Sequence, residues 1–178
     1  MTTQALQLFL ALLLFVSVLG LGAERRVSRS MSWRQIVDRI NTRYHHLANL
    51  SYGCIFSEGL ECSEQDLWNH LGGVFGMLAI FRNVGILMNA LDFLESASSS
   101  STPLLVRIDS LRTQAGNVRI VLLTAIARQS MRHILGDSTV LAGKASVGYI
   151  SFIAKMSLAV RDYYPELLPD YSRVVQQA

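Results

Sequence analysis

The amino-acid sequence predicts an all-α protein of 178 residues that forms an antiparallel four-helix bundle after an N-terminal signal peptide. Apolar residues recur every three or four positions along four segments, and no segment shows the two-residue alternation of a strand. Hydrophobic residues make up 51% and charged residues 16% of the chain, which excludes general disorder. We assign a signal peptide to residues 1–22, a basic leader to 23–31 and a helical bundle domain to 32–178.

The first predicted helix runs from Trp33 to Leu50. Ser32 precedes it and Gln35 follows three residues later, which is the capping-box pattern in which two side chains satisfy free backbone N–H groups. One apolar face continues along the segment through Ile36, Val37, Ile40, Tyr44 and Leu47. Such a face predicts a helix that packs on the core with one side.

The second predicted helix runs from Glu64 to Glu95 and carries two adjacent apolar stripes. One stripe is Leu67, Leu71, Val74, Leu78, Phe81, Gly85 and Met88, and the other is Met77, Ile80, Val84, Leu87, Leu91 and Leu94. A helix with two such stripes needs neighbours on both, so we place it at the centre of the bundle. Gly72, Gly73 and Gly76 lower its helix propensity and predict either a kink or the close approach of another helix.

A serine-rich connector, residues 96–102, separates the second helix from a third helix with Pro103 in its first turn. Apolar residues in the third helix recur alternately four and three apart, as in a heptad seam, and Gly136 ends it. The fourth helix runs from about Val140 to Tyr163, where a proline follows. A short turn over Pro169–Gln176 is expected to fold back onto the body of the protein.

The N-terminus has the pattern of a secretory signal peptide. Residues 5–21 are apolar except for Gln7 and Ser17, and small residues at Gly20 and Gly22 suit cleavage after Gly22. The protein is therefore expected to be secreted.

The charges around this apolar run support two other interpretations. No charged side chain precedes the run, and Arg25, Arg26 and Arg29 follow it, so a retained run would anchor the chain with its remainder in the cytoplasm. Because the run is at the short limit for a membrane span, cleavage is preferred. The residues from Arg26 to Arg29 also fit a minimal Arg-x-x-Arg processing site with cleavage after Arg29, although a solvated basic leader is the simpler interpretation.

Cys54 and Cys62 are the only cysteines, and we predict that they form a disulfide. Gly53 and Gly59 in the same segment predict a loop, and an even cysteine count is typical of exported chains. Two ordinary thiols are expected instead if the chain stays in the cytosol. Asn49 begins an Asn-x-Ser sequon beside this segment and is the predicted glycosylation site.

No motif for catalysis, metal binding or nucleotide binding stands out. His45 and His46 are adjacent, so on a helix they point about 100° apart and do not chelate one ion together. The glycines at 72, 73 and 76 follow no strand and are expected to serve packing rather than phosphate binding. A net charge of +3, spread along the helices, argues against a nucleic-acid interface. We expect no enzyme activity and no cofactor or metal.

The sequence favours a secreted protein that binds another protein through a helix face, as a cytokine-like ligand or an effector. Arg112 and Arg119 flank the apolar seam of the third helix and are the interface candidates, since arginine suits bidentate pairing; a solvated helix edge is their simpler role. One alternative is a secreted lipid-binding or membrane-active protein that uses the second and fourth helices. The other is an N-terminally anchored membrane protein.

We expect the protein released by secretory cells to begin after Gly22, and its intact mass tests this. The same mass reports cleavage after Arg29, loss of the two thiol hydrogens on disulfide formation, and a glycan at Asn49. Retention of the chain inside the cells with its N-terminus intact would contradict export.

Overall fold

The computed structural model describes residues 31–56, 63–98, 102–130 and 140–176. Within these ranges the protein is all-α without a strand, as predicted. Its helices are α1 (Trp33–Val37), α2 (Thr42–Phe56), α3 (Glu64–His70), α4 (Gly73–Ala97), α5 (Thr102–Ser130), α6 (Val140–Tyr163) and α7 (Leu168–Gln176), with a 3-10 turn at Pro165–Leu167. The predicted signal peptide and residues 23–30 of the basic leader lie outside the described residues.

The first predicted helix is two helices, so the prediction of one continuous helix from Trp33 to Leu50 is wrong. The capping box at the start of α1 is confirmed. The Gln35 N–H donates to Ser32 Oγ at 3.4 Å, and the Ser32 N–H donates to Gln35 Oε1 at 3.0 Å. The chain then leaves the helix after Val37 and resumes at Thr42.

Asn83 on α4 stabilises the break between α1 and α2. Its Oδ1 accepts a hydrogen bond from the Asn41 N–H at 2.8 Å, and its Nδ2 donates to the Asn41 carbonyl at 3.1 Å. Nδ2 also donates to the Tyr149 hydroxyl on α6 at 3.2 Å. Because Asn83 is only 1% exposed, these bonds replace the water contacts that the side-chain amide loses on burial.

The second predicted helix is also divided, and its continuity from Glu64 to Glu95 is wrong. Gly72 and Gly73 have φ values of 80° and 63°, in the left-handed region that favours glycine. A Cβ added at Gly76 would lie 1.5 Å from the Leu71 carbonyl oxygen, so only glycine fits there. The three glycines therefore make a corner between α3 and α4, which confirms the predicted kink.

Contacts join the long helices of the described part of the chain in successive pairs. Helix α4 packs on α5, α5 on α6, α6 on α2, and α2 on α4. Between α4 and α5 the contacts are Arg112–Asp92 and Arg119–Phe81, and between α5 and α6 they are Gln114–Ser151 and Val118–Gly148. Between α2 and α6 they are His45–Tyr149 and Ala48–Ser146, and between α2 and α4 they are Asn41–Asn83 and Tyr44–Gly76.

Of the two apolar stripes predicted for helix α4, the one from Met77 to Leu94 is fully buried, whereas Leu78 of the other is exposed. The predicted central place is not shown, because α6 packs on as many helices as α4 does. From Asn83 to Leu91 every residue except Met88 is buried. Among the described helices, α4 is the one long and apolar enough to cross a membrane, and 61% of its most apolar window is buried inside the protein. Its packing against α1, α2, α3 and α5 accounts for that hydropathy.

The C-terminal elements follow the predictions closely. Helix α6 has the predicted bounds, and Pro103 lies in the first turn of α5, whereas the predicted stop at Gly136 lies outside the described residues. The segment expected to be a turn at Pro169–Gln176 is instead part of helix α7, which folds back as expected. Tyr171 of α7 is fully buried, and its hydroxyl donates to the Ile153 carbonyl at 3.4 Å.

We predict that Gly76→Ala lowers the free energy of unfolding by roughly 3 kcal/mol, because its Cβ displaces backbone rather than a flexible side chain. The matched control is Gly116→Ala, inside α5, where an added Cβ has no heavy atom within 4 Å. This control should stabilise the protein by about 0.5–1 kcal/mol through helix propensity. Urea unfolding measures both, and equal midpoints for the two variants would contradict the close corner at Leu71.

Candidate functional site

An exposed stripe of three side chains lies at the start of α4: Phe75, Leu78 and Arg82. Phe75 is 79% exposed and Leu78 is 42% exposed, and Phe75 is the most exposed large hydrophobic residue among those described. Arg82 is exposed on the same face, because positions i, i+3 and i+7 of a helix lie above one another. Aromatic side chains usually bury most of their surface, so a phenylalanine this open is a candidate binding residue.

The stripe lies on a rigid part of the fold. Directly behind it, Met77 and Ile80 are fully buried in the core. The glycine corner fixes where α4 begins, and α3 before it is capped by Ser63, whose Oγ accepts from the Asp66 N–H at 3.1 Å. A binding surface on such a helix is held more firmly than one on a loop.

Val106 and Ile120 on α5 are also exposed, at 65% and 63%. They are fourteen positions apart on one helix, which corresponds to about 21 Å along its axis. Single exposed apolar residues are common on protein surfaces and need no partner. The stripe on α4 is therefore the stronger candidate site.

Arg112, an interface candidate from the sequence, forms its ion pairs with other residues of this chain. Its Nη2 lies 2.6 Å from Asp92 Oδ1 and 2.5 Å from Glu95 Oε2, and its Nη1 lies 3.6 Å from Asp109 Oδ1. The hydrogen bond from Arg112 lowers the pKa of Glu95 below its ordinary value of 4.5. The same bond raises the pKa of the guanidinium, which stays cationic. Arg112 thus joins α4 to α5, and a partner would have to compete with these contacts.

Arg119, the other candidate, is only 8% exposed. Its guanidinium carbon lies 4.0 Å from the centroid of the Phe81 ring, a cation–π contact, and Nη1 lies 3.7 Å from the sulfur of Met88. The structure therefore places both arginines against α4 and brings neither to the exposed stripe.

Sequence reasoning missed the stripe, although one signal was available. Leu78 was expected in a core stripe, and that expectation is wrong, because the corner at residues 72 and 73 places this part of α4 at the protein surface. Phe75 belongs to neither of the two apolar stripes of the helix. An aromatic residue outside both stripes is the pattern that indicates an exposed position.

The segment around the cysteines departs from its prediction. Cys54 lies in α2, which continues to Phe56, so the expectation of a loop is wrong for residues 51–56. Cys62 and Arg29 lie outside the described residues, and the disulfide and the processing site remain predictions. Asn49, the predicted glycosylation site, is exposed on α2.

His45 of α2 is a buried histidine that contacts two other helices, α6 and α7. Its Nε2 lies 3.1 Å from the Val175 carbonyl of α7, and its ring meets the Tyr149 ring edge-on at 5.8 Å. Burial lowers the pKa of His45 below its ordinary value of 6.5, and the hydrogen bond to Val175 only partly opposes this. Among the described residues, no group of three histidine, cysteine or acidic side chains is placed to hold a metal ion.

Comparison with known proteins identifies no relative of the chain. Models of protein families, curated protein sequences and solved structures all return no match for the chain. A proposal about its function therefore depends on its own surface, above all on Phe75, Leu78 and Arg82.

We predict that Arg112→Gln lowers the free energy of unfolding at neutral pH by about 0.5–1 kcal/mol, a value limited by the partial exposure of the carboxylates. Because the pKa of Glu95 is lower in the folded protein, the contribution of the pair is complete above pH 4.5 and is lost as the pH falls below that value. The difference between wild type and variant should therefore shrink in acid. Urea unfolding at pH about 7 and about 3 measures it.

The control for this prediction is Lys155→Gln, which removes the same charge from an exposed side chain on α6. Its effect should stay within about 0.5 kcal/mol at both pH values. An Arg112→Gln effect that does not change with pH would contradict the role of Glu95.

Proposed function

We propose that this chain is an exported helical protein that binds another protein through the stripe of Phe75, Leu78 and Arg82 on α4. The observation that carries the proposal is the 79% exposure of Phe75 beside the exposed Leu78. Aromatic residues and arginine are enriched at binding hot spots, and spacing at i, i+3 and i+7 is that of a helix that inserts one face into a groove. Export is supported by the apolar N-terminal run at residues 5–21.

The architecture that we propose is an up-down-up-down four-helix bundle of α2, α4, α5 and α6. Antiparallel contacts between each successive pair, and between α6 and α2, support it. Helices α1, α3 and α7 then cover its sides and ends. In this arrangement the first two turns of α4 are a rigid, outward-facing edge of the bundle.

The proposed partner has an apolar groove for Phe75 and Leu78 with an acidic group within reach of Arg82. A protein surface suits this better than a bilayer does, because a membrane-active helix needs a broad apolar face. On α6, Phe152 and Met156 are fully buried, and Leu158 is the exposed large apolar side chain among those described, at 38%. Two exposed apolar side chains on α4 are enough for an anchor in a groove, but they are a small area for stable insertion in lipid.

We predict that Phe75→Ala weakens binding of the labelled, purified protein to cells of the source organism by roughly thirtyfold, the loss expected for a hot spot of about 2 kcal/mol. Truncation removes the anchor without opening the core, so stability should change by less than about 0.5 kcal/mol. The measurement is a saturation binding curve, with unlabelled protein as competitor.

The matched control is Val106→Ala, which truncates another exposed apolar side chain, 65% exposed on α5. It should bind like the wild type. Equal binding by the Phe75→Ala and Val106→Ala variants would contradict the proposal. Binding to protein-free vesicles of neutral or anionic lipid that is lost in Phe75→Ala would instead favour the membrane-active alternative.

A further inference from the structure

His45 connects α7 to the body of the protein by a hydrogen bond from its buried ring. The side chain is 2% exposed, and its Nε2 lies 3.1 Å from the backbone carbonyl of Val175. Val175 lies in the last turn of α7, where the backbone carbonyls have no N–H partner within the helix. A carbonyl oxygen can only accept a hydrogen bond, so this contact requires that Nε2 carries the proton of the neutral ring.

The second ring nitrogen of His45 is buried without a hydrogen-bond partner. In the neutral ring with the proton on Nε2, Nδ1 carries a lone pair and has no proton to donate at this buried position. A second proton would add an N–H donor and a positive charge at the same buried position. Burial of an ion without a counter-ion or water is much less favourable than burial of the neutral ring, so the folded arrangement opposes protonation.

Among the described residues, the groups that face the ring supply no negative charge. From α6 the neighbour is the aromatic ring of Tyr149, at 5.8 Å between centroids. From α7 it is the Val175 carbonyl, and from its own helix α2 it is His46, whose positive charge also opposes protonation of His45. Asn83 of α4 reaches the same cluster through the Tyr149 hydroxyl and carries no charge. Protonated His45 is therefore best stabilised by water.

Water reaches His45 most readily if α7 moves away. This helix has nine residues and is the last described element of the chain. Its other attachments include the fully buried Tyr171, which lies beside Trp33 and donates to the Ile153 carbonyl, and the buried Val174. Two exposed ion pairs add to these, Arg173–Asp38 at 2.6 Å and Arg34–Asp170 at 4.0 Å. A nine-residue helix can leave without disrupting the contacts among the four long helices, so its opening costs less than global unfolding.

We propose that His45 is a proton-operated latch, which holds α7 on the protein at neutral pH and releases it when the ring takes up a second proton. Release exposes the Tyr171 and Trp33 surfaces together with the ring itself. Because the pKa of His45 is lower in the closed state than its ordinary value of 6.5, closure is fully stable above that pH and weakens as the pH falls below it.

Hydrogen exchange measures this opening directly, as protection factors that are corrected for the intrinsic effect of pH. We expect the opening constant of the α7 amides to rise up to about tenfold per pH unit below 6.5, the slope for uptake of one proton. Amides in the middle of α5 should keep their protection over the same range. In a Trp68→Phe background, Trp33 is the only tryptophan and should become more accessible to a quencher in acid.

Two histidine variants separate the latch from other acid effects. His45→Gln keeps an N–H donor for the Val175 carbonyl but does not titrate, so α7 should keep its protection in acid. His46→Gln removes the exposed neighbouring histidine and should leave the pH response of α7 in place. A pH response that survives in His45→Gln would overturn the proposal, as would an equal loss of protection in α5 and α7.

Ring NMR of the wild-type protein decides the question if His45→Gln does not fold. The expected spectrum is that of a neutral ring with its proton on Nε2, with a titration midpoint below 6.5 that coincides with the loss of α7 protection. Titration of His45 while α7 keeps its protection would overturn the latch.

Discussion

The pairing of the Asn83 side chain with the backbone of Asn41 is the interaction on which the rest of the structure depends. A chain that leaves a helix beside the core leaves a backbone N–H and carbonyl without helical partners, and each costs about 1–3 kcal/mol if it is buried and unpaired. Asn83 satisfies both groups and also donates to Tyr149. Burial raises the pKa of the Tyr149 hydroxyl, so it stays neutral beside this amide. Through the contacts of Tyr149 with His45, and of His45 with Val175, one buried polar chain joins α2, α4, α6 and α7.

The helix boundaries that the sequence predicted correctly are those set by neighbouring residues. The Ser32 capping box and the end of α6 at Tyr163 depend on side chains and prolines within a few positions. The gap between α1 and α2 is different, because its partner Asn83 is 42 positions away, inside an apolar stretch. The stripe pattern marks Asn83 as an interruption but contains no information about which backbone it meets.

The same distinction, between features set by neighbouring residues and features set by distant ones, applies to the candidate site. Arg112 and Arg119 flank an apolar seam, and this position is equally suited to an outside partner and to a neighbouring helix of the same chain. Their contacts, Asp92 and Phe81 among them, come from a different helix and follow only from its register. The exposure of Phe75 depends on the corner made by three glycines before it. The three glycines predicted this corner as a kink. Which face of α4 the corner turns outward depends on the packing of the other helices and could not be predicted from the sequence.

The burial of Ser51 has a consequence for the predicted glycosylation of Asn49. In the folded protein the Ser51 hydroxyl is fully buried and donates to the Leu47 carbonyl inside α2 at 2.9 Å, although Asn49 itself is exposed. A glycosylating enzyme recognises the hydroxyl together with the asparagine, so it reaches this sequon only while α2 is open. On the prediction that Asn49 is glycosylated, sugar transfer and formation of α2 would compete during synthesis. The fraction of chains with a glycan at Asn49 would then report how quickly this helix forms.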